Sequence, residues 1–192
     1  EPSARGVAPF SLYDPAGRTA AKLKALGAPF VPVRSAADAR TPLLVIGTEA
    51  LDEAAFASVL PRVKDGSLRV LVMAQRPEAL KAVGVGTMSA YVREAFDAEG
   101  RELGHWAGKG LLAPDRPDPE LLAEEWRRKQ FHHWSNVNII SSHPVLRPRD
   151  GGYEAVLVCG KDLVYSPLVE FACGRGLFVF CQLEIENRTA AD

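Results

Sequence analysis

The stretch "LRVLVMAQRPEAL", residues 68–80, passes from a buried strand to a helix start across one short junction. Leu68, Val70, Leu71, Val72 and Met73 make an almost unbroken apolar run of strand length, and Pro77 followed by Glu78 marks a helical first turn. A continuous apolar strand, unlike an alternating one, is covered on both faces, as parallel strands between helices are. The junction Met73-Ala74-Gln75-Arg76 stands where many α/β enzymes carry a nucleophile, and it holds no Cys, Ser or His.

Outward from this stretch, strand and helix patterns alternate. "FSLYD" (10–14) reads as a strand, "RTAAKLKALG" (18–27) as a short helix closed by Gly27, and "FVPV" (30–33) as a strand. "TPLLVIGT" (41–48) is a fully apolar strand, and "EALDEAAFASVL" (49–60) places Leu51, Ala55, Phe56, Val59 and Leu60 on one side of a helix. Right-handed crossovers turn this alternation into an α/β fold with an open, doubly wound, mostly parallel sheet, flavodoxin-like in outline. Beyond it, "AYVREAF" (90–96) is a short strand, 97–118 a Gly-, Pro- and charge-rich excursion, and 118–129 a helix opened by Asp118, Pro119 and Glu120. Strands are expected at 136–142, 153–159, 163–172 and 176–185. The "CGRG" link is short enough to make the last two a C-terminal antiparallel hairpin, and a mixed sheet is expected, with an antiparallel edge added to a parallel core. The whole reads as one domain, 1–192.

Composition narrows the function classes. A net charge of −1, with 47% apolar and 24% charged residues, offers no concentrated positive surface for nucleic acid or anionic lipid. No run approaches the roughly 20 apolar residues of a membrane span. The polar ends "EPSARG" and "NRTAAD" suggest a piece excised from a longer protein, and "EPSARGVAPF" lacks the basic-then-apolar pattern of a signal peptide, so any targeting segment has been removed or lies elsewhere. Three cysteines at irregular spacing do not form a disulfide framework. Cys159 and Cys181 lie in apolar runs as small buried hydrophobes, and Cys173, beside "GRG", is the better candidate for a reactive thiol.

Open α/β sheets collect ligands beyond the carboxyl ends of their strands. Those ends carry Asp14, Glu49, Gln75 and Arg76, and Asp14 with Glu49 offers a carboxylate pair while Arg76 offers an anion contact. The competing role for Asp14, Thr48 and Glu49 is helix capping. "DPAGRT" (14–19) lacks the spacing of a phosphate loop, and His105, His132, His133 and His143 form no metal-binding pattern, so neither cofactor nor metal is expected. Glu184 and Glu186 read as a solvated edge, not a glycosidase pair. "FHHWSN" (131–136) has the aromatic and polar mixture of a sugar-contacting surface, or of a loop packed on its core.

"YDPAGRTAAKLKALGAPFVPV", "LLVIGTEAL", "LRVLVMAQ" and "DLVYSPLVEFACGRGLFVFCQLEIENRT" resemble a domain found toward the C-terminal end of large bacterial glycoside hydrolases of the β-galactosidase type. That domain is similar in fold to class I glutamine amidotransferases and to the trimerisation domain of other β-galactosidases. The resemblance implies that "VMAQRP" (72–77) occupies the elbow of the amidotransferase nucleophile, with Gln75 near the nucleophile's place and no Gly flanking the turn. His143 then has nothing to activate.

Two functions stay open on the sequence. One is a non-catalytic accessory domain of a carbohydrate-degrading hydrolase, its parent secreted or periplasmic. It would pack on a catalytic domain or a second subunit, with carbohydrate as a further partner. The other is a free-standing enzyme or small-ligand-binding protein of amidotransferase-like fold using Asp14, Glu49, Gln75 and Arg76. Leu103, Trp106, Leu111 and Leu112 of the excursion are expected to be covered, by the domain body or by a second chain.

Overall fold

The computed structural model describes residues 8–87, 95–96, 98, 102–103, 140–148, 151–160 and 163–185. The helix expected at 118–129, the "FHHWSN" cluster, Trp106, Leu111, Leu112 and Glu186 lie outside the described residues.

The first half follows its sequence pattern closely. Strand β1 (Phe10–Tyr13) leads into helix α1 (Arg18–Ala25), then β2 (Phe30–Val33), β3 (Leu43–Ile46), helix α2 (Glu53–Lys64), β4 (Arg69–Val72) and helix α3 (Pro77–Ala82). Helix α2 begins later and ends later than the 49–60 pattern. Its N-cap is Asp52, whose carboxylate accepts the N–H of Ala55 at 2.6 Å, so Glu49–Leu51 belong to the preceding turn. It also continues through Pro61, which sits on the exposed side, so the helical hydrogen bond it forfeits lies toward water.

The second half adds β5 (Ala95–Phe96), β6 (Glu102–Leu103), β7 (Val145–Leu146), β8 (Tyr153–Cys159), β9 (Tyr165–Cys173) and β10 (Gly176–Cys181). The sheet runs β2-β1-β3-β4-β10-β9-β8-β5-β6, with β7 paired to β9. β2, β1, β3, β4 and β10 are mutually parallel, and β9, β8, β5 and β6 extend the sheet antiparallel. The C-terminal hairpin therefore exists as expected, and β9, β8, β5 and β6 form the antiparallel edge added to the parallel core. The hairpin's second strand completes the parallel core beside β4, because an apolar strand such as "LFVFC" needs cover on both faces.

Each face of the sheet has its own core. Leu44, Ile46, Val70, Val72, Phe178 and Phe180 point to one side, against Ala55, Val59 and Val63 of α2 and Leu80 of α3. Phe10, Leu12 and Val45 point to the other, against Ala20 and Leu23 of α1. A third cluster, Ala95, Ile140, Leu157, Cys159, Cys181 and Leu183, lies over the antiparallel half. Burying one such Leu or Phe contributes about 1.5–3 kcal/mol, so these clusters carry the stability of the sheet. All three cysteines are free. Burial pushes the Cys159 thiol up to about 12 and the Cys181 thiol to about 11.

The β9–β10 turn is keyed into the end of α2. Arg175 N–H donates to the Lys64 carbonyl at 3.0 Å, and a methyl group at Gly174 or Gly176 would fall on the carbonyls of Lys64 and Val63. No side chain larger than hydrogen fits at Gly176, so this pair of glycines fixes how closely the hairpin approaches the helix.

Candidate functional site at the carboxyl ends of the parallel strands

Chain order around β1 reverses direction: β1 connects to β2 on one side, and β3 lies on the other. The crevice between the ends of β1 and β3 is thus the topological switch point at which folds of this order take their ligands. Asp14 and Gly47 face each other across it.

The two loops are bound together by their own polar groups. Asp14 Oδ2 accepts the N–H of Ala20 at 2.8 Å, so this carboxylate takes the place at the start of α1 that an anionic ligand would take. Thr19 Oγ1 accepts the N–H of Thr48 at 2.9 Å, and Gly47 N–H donates to the Tyr13 carbonyl at 2.8 Å. A Cβ on Gly47 would lie 2.8 Å from the Asp14 carboxyl, which is why the β3 loop begins with glycine. Asp14 Oδ1 is buried with no hydrogen-bond partner.

Glu49 stands beyond Gly47 with φ 55°, a left-handed backbone that costs a non-glycine residue about 1–2 kcal/mol. Its Oε2 accepts from Arg76 Nη2 at 2.9 Å and from Arg18 Nη2 at 2.6 Å. The Arg76 hydrogen bond, then that of Arg18, holds the Glu49 carboxyl below the usual range. Both arginine side chains are at least half exposed (50% and 69%), so water and salt screen each pair and it adds little to stability. The four residues singled out in the sequence separate accordingly: Glu49 and Arg76 touch, Asp14 serves α1, and Gln75 turns inward.

Gln75 is 2% exposed. Its Oε1 accepts the N–H of Leu51 at 2.9 Å, and its Nε2 donates to the carbonyls of Gly47 at 2.8 Å and Met73 at 2.7 Å. Its own N–H donates to Gln182 Oε1 at 2.9 Å. One side chain thereby ties the β4 end to the β3 loop and to the start of the α2 turn, with no amide hydrogen left for a ligand. Gln75 does not have the positive φ of a nucleophile elbow; among the described residues only Glu49 and Leu163 do, apart from glycines. The strained position follows β3, one strand away.

Gln182 and Thr19 were not singled out in the sequence, yet they hold this edge together. A signal existed for Gln182: like Gln75, it is the first polar residue after an apolar strand run ("LFVFCQ" beside "LVMAQ"). Among the described residues, no group of three or more His, Cys, Asp or Glu is placed to hold a metal ion. No helix there is long and apolar enough to cross a membrane.

On the other side of α2 the surface is open. A groove of about 250 Å³ runs between Val83–Gly86 and the β9–β10 hairpin, floored by Phe56, Phe171, Phe178 and Phe180 and flanked by Leu146, which is 45% exposed. The rings form a connected ladder: Phe56 stacks on Phe178 at 5.0 Å, and Phe171 meets Phe180 edge-on at 5.7 Å.

No family model matches the chain, and no curated protein matches it. Among solved structures it is similar to the exo-beta-1,4-mannosidase Op5Man5 from Opitutaceae bacterium strain TAV5, with a TM-score of 0.50 and 12% identity. The likeness covers 94% of this chain and 32% of that one, so the chain spans about a third of the mannosidase's length. At this identity the likeness concerns the fold: an α/β sheet, mostly parallel with antiparallel C-terminal strands, which also occurs as part of a glycoside hydrolase chain.

Proposed function

We propose that this chain is a non-catalytic accessory module of a carbohydrate-degrading glycoside hydrolase. It packs on a catalytic domain or a second subunit through the Phe56–Phe178 groove. The observation that carries this reading is Gln75. At the end of β4, where the resemblance to class I amidotransferases implies the nucleophile elbow, stands a buried amide whose donors and acceptor all serve backbone groups. The switch-point crevice, filled by its own hydrogen bonds, supports it further, as does Leu146, which is exposed beside a groove whose floor at Phe178 and Phe180 is itself buried. The fold likeness to part of an exo-mannosidase chain is in keeping with it.

The test compares the isolated chain with the product of its complete gene. Leu146→Glu should leave the melting temperature of the isolated chain nearly unchanged, because Leu146 is already exposed. In the complete protein the same change should lower the melting temperature or release the module to proteolysis. Equal behaviour of Leu146→Glu in both settings would remove the groove from the interface.

A second reading is ligand binding at the strand ends beside Asp14 and Arg76, in the place that Glu49 takes on its arginines in the unbound protein. It is favoured by the left-handed Glu49 and the unpartnered Asp14 oxygen, since strained backbone and orphaned polar atoms gather at working sites. A ligand there must displace Glu49 from its two arginines, so binding should strengthen in Glu49→Gln. Weaker binding or none in that variant would dismiss this arrangement.

A further inference from the structure

The net charge of −1 hides an uneven distribution. At the amino end of the parallel strands, the segments 39–43, 62–69 and 174–177 carry five cations, Arg40, Arg62, Lys64, Arg69 and Arg175, against one carboxylate, Asp65. Short contacts join the three segments. Arg69 N–H donates to the Pro42 carbonyl at 2.8 Å, Arg175 N–H to the Lys64 carbonyl at 3.0 Å, and Arg62 Nη1 to the Ala39 carbonyl at 2.6 Å. Arg69 also stands in register with Leu43 on one side and Leu177 on the other, so β3, β4 and β10 start side by side across two strand spacings, roughly 10 Å. Arg40, Lys64, Arg69 and Arg175 are exposed, and among the described residues none of the five cations forms an ion pair. Hydrogen bonds from Ser67, then the charges of Arg175 and Arg62, hold the Asp65 carboxyl below its usual range, so the one acid is already engaged. Like charges crowded without counter-charges repel one another, whereas surfaces ordinarily mix both signs, so the row marks a place for an anion.

We propose that this row is a docking strip for an acidic polysaccharide, its arginine forks pairing with uronate carboxylates along the polymer. A planar guanidinium meets a carboxylate through two parallel hydrogen bonds, and four of the five cations are arginines. An acidic peptide would add to the strands through main-chain hydrogen bonds, but the N–H groups of Leu68, Arg69 and Arg175 already serve the carbonyls of Arg62, Pro42 and Lys64. Single-stranded nucleic acid would need rings on which its bases stack, and the three segments hold no aromatic residue. A duplex, longer than the strip, would also meet the rest of a net-negative chain. The choice of a sugar polymer rests on the carbohydrate-related reading above. The strip lies at the opposite end of the strands from Gln75 and shares no residue with the Phe56–Phe178 groove.

The experiment is affinity electrophoresis of the whole chain through gels holding polygalacturonate or alginate, each run read against a polymer-free gel. Neutral mannan, poly-L-glutamate and duplex DNA are the comparisons. Retardation by at least one polyuronate is expected at low salt, lost at high salt and absent with mannan. Arg69→Glu and Arg40→Glu should each weaken it by about tenfold or more, whereas Lys81→Glu, an equal charge change at an exposed position on α3, should leave it unchanged. Arg40 and Arg69 are both exposed, and melting temperatures near that of the wild type confirm that the variants fold; if one does not, the other decides. No retardation by either polyuronate, or equal weakening by Lys81→Glu, would overturn the assignment. Equal retardation by poly-L-glutamate or DNA would overturn it too, in favour of an acidic protein or nucleic acid partner. None of these failures touches the packing role, which is read from Leu146→Glu.

Discussion

The side-chain carbonyl of Gln182 accepts the backbone N–H of Gln75 at 2.9 Å, joining residues 107 positions apart at the carboxyl ends of two neighbouring parallel strands. Gln75 in turn binds the β3 loop and the turn before α2. The centre of the edge where this fold class does its chemistry is thus a chain of buried amides serving the backbone. The Gln75 amide is fully satisfied in this network, which rigidifies the edge and leaves none of its hydrogens for a substrate.

Gln75→Ala should therefore behave as a stability mutation. It leaves the buried Leu51 N–H without its partner and removes the amide donor from the Gly47 and Met73 carbonyls, the former still accepting from Ala50 N–H, with a cost of about 1–3 kcal/mol. Gln75→Glu should be nearly as damaging, since a carboxylate oxygen would then face two carbonyls. Urea unfolding of both variants checks this, and a cost under about 0.5 kcal/mol for either would show that the network is dispensable.

The glycines should rank by what surrounds them. Gly27 has φ 68° and open space around it, so Gly27→Ala carries only the backbone cost of about 1 kcal/mol. Gly176→Ala would press a methyl onto the Val63 carbonyl and separate the hairpin from α2, for a loss of about 2 kcal/mol or more. Thermal unfolding that placed Gly27→Ala as the worse of the two would contradict the keyed hairpin.

Much of this architecture is legible in the sequence, and the exceptions have physical causes. β1, β2, β4 and β8 stand where their apolar runs and bounding turn residues put them. The start of α2 was misplaced because Glu49, Ala50 and Leu51 are good helix formers; only the Asp52 cap and the left-handed Glu49 show that the helix begins later. The position of β10 was not legible either. Apolar alternation announces a strand and its hairpin partner, but strand order depends on which edge of β4 remains open, a long-range property of the packed sheet. Asp14, Glu49, Gln75 and Arg76 follow the ends of β1, β3 and β4. The direction each side chain takes depends on partners such as Arg18 and Gln182, which lie far away in sequence.

Thiol chemistry offers a separate check. Cys159 and Cys181 bind their protons more tightly folded than unfolded, so stability is full below about pH 8.5–9. It should fall as pH rises toward about 11 for Cys181 and about 12 for Cys159, by at most about 1.4 kcal/mol per pH unit for each thiol. In the native protein at pH 8, a thiol reagent should find Cys173 and miss the other two. Rapid labelling of Cys159 or Cys181 would show that the antiparallel half opens readily.

Glu49→Gln tests the arginine pair. A carboxylate with a depressed pKa contributes stability above its unfolded pKa and loses it as pH falls through the folded value. The wild type should exceed Glu49→Gln by no more than about 1 kcal/mol near neutral pH, less in high salt, and by nothing at acid pH. A difference that persists below the carboxylate range would have to come from something other than charge.

The most direct measurement of the central claim is an activity assay of the isolated, folded chain against glutamine and a panel of aryl glycosides, with Gln75→Ala and Glu49→Gln run beside it. The closed strand-end edge predicts no turnover above the uncatalysed background for any of the three proteins. Turnover by the wild type that disappears in either variant would mean that this edge is a working active site.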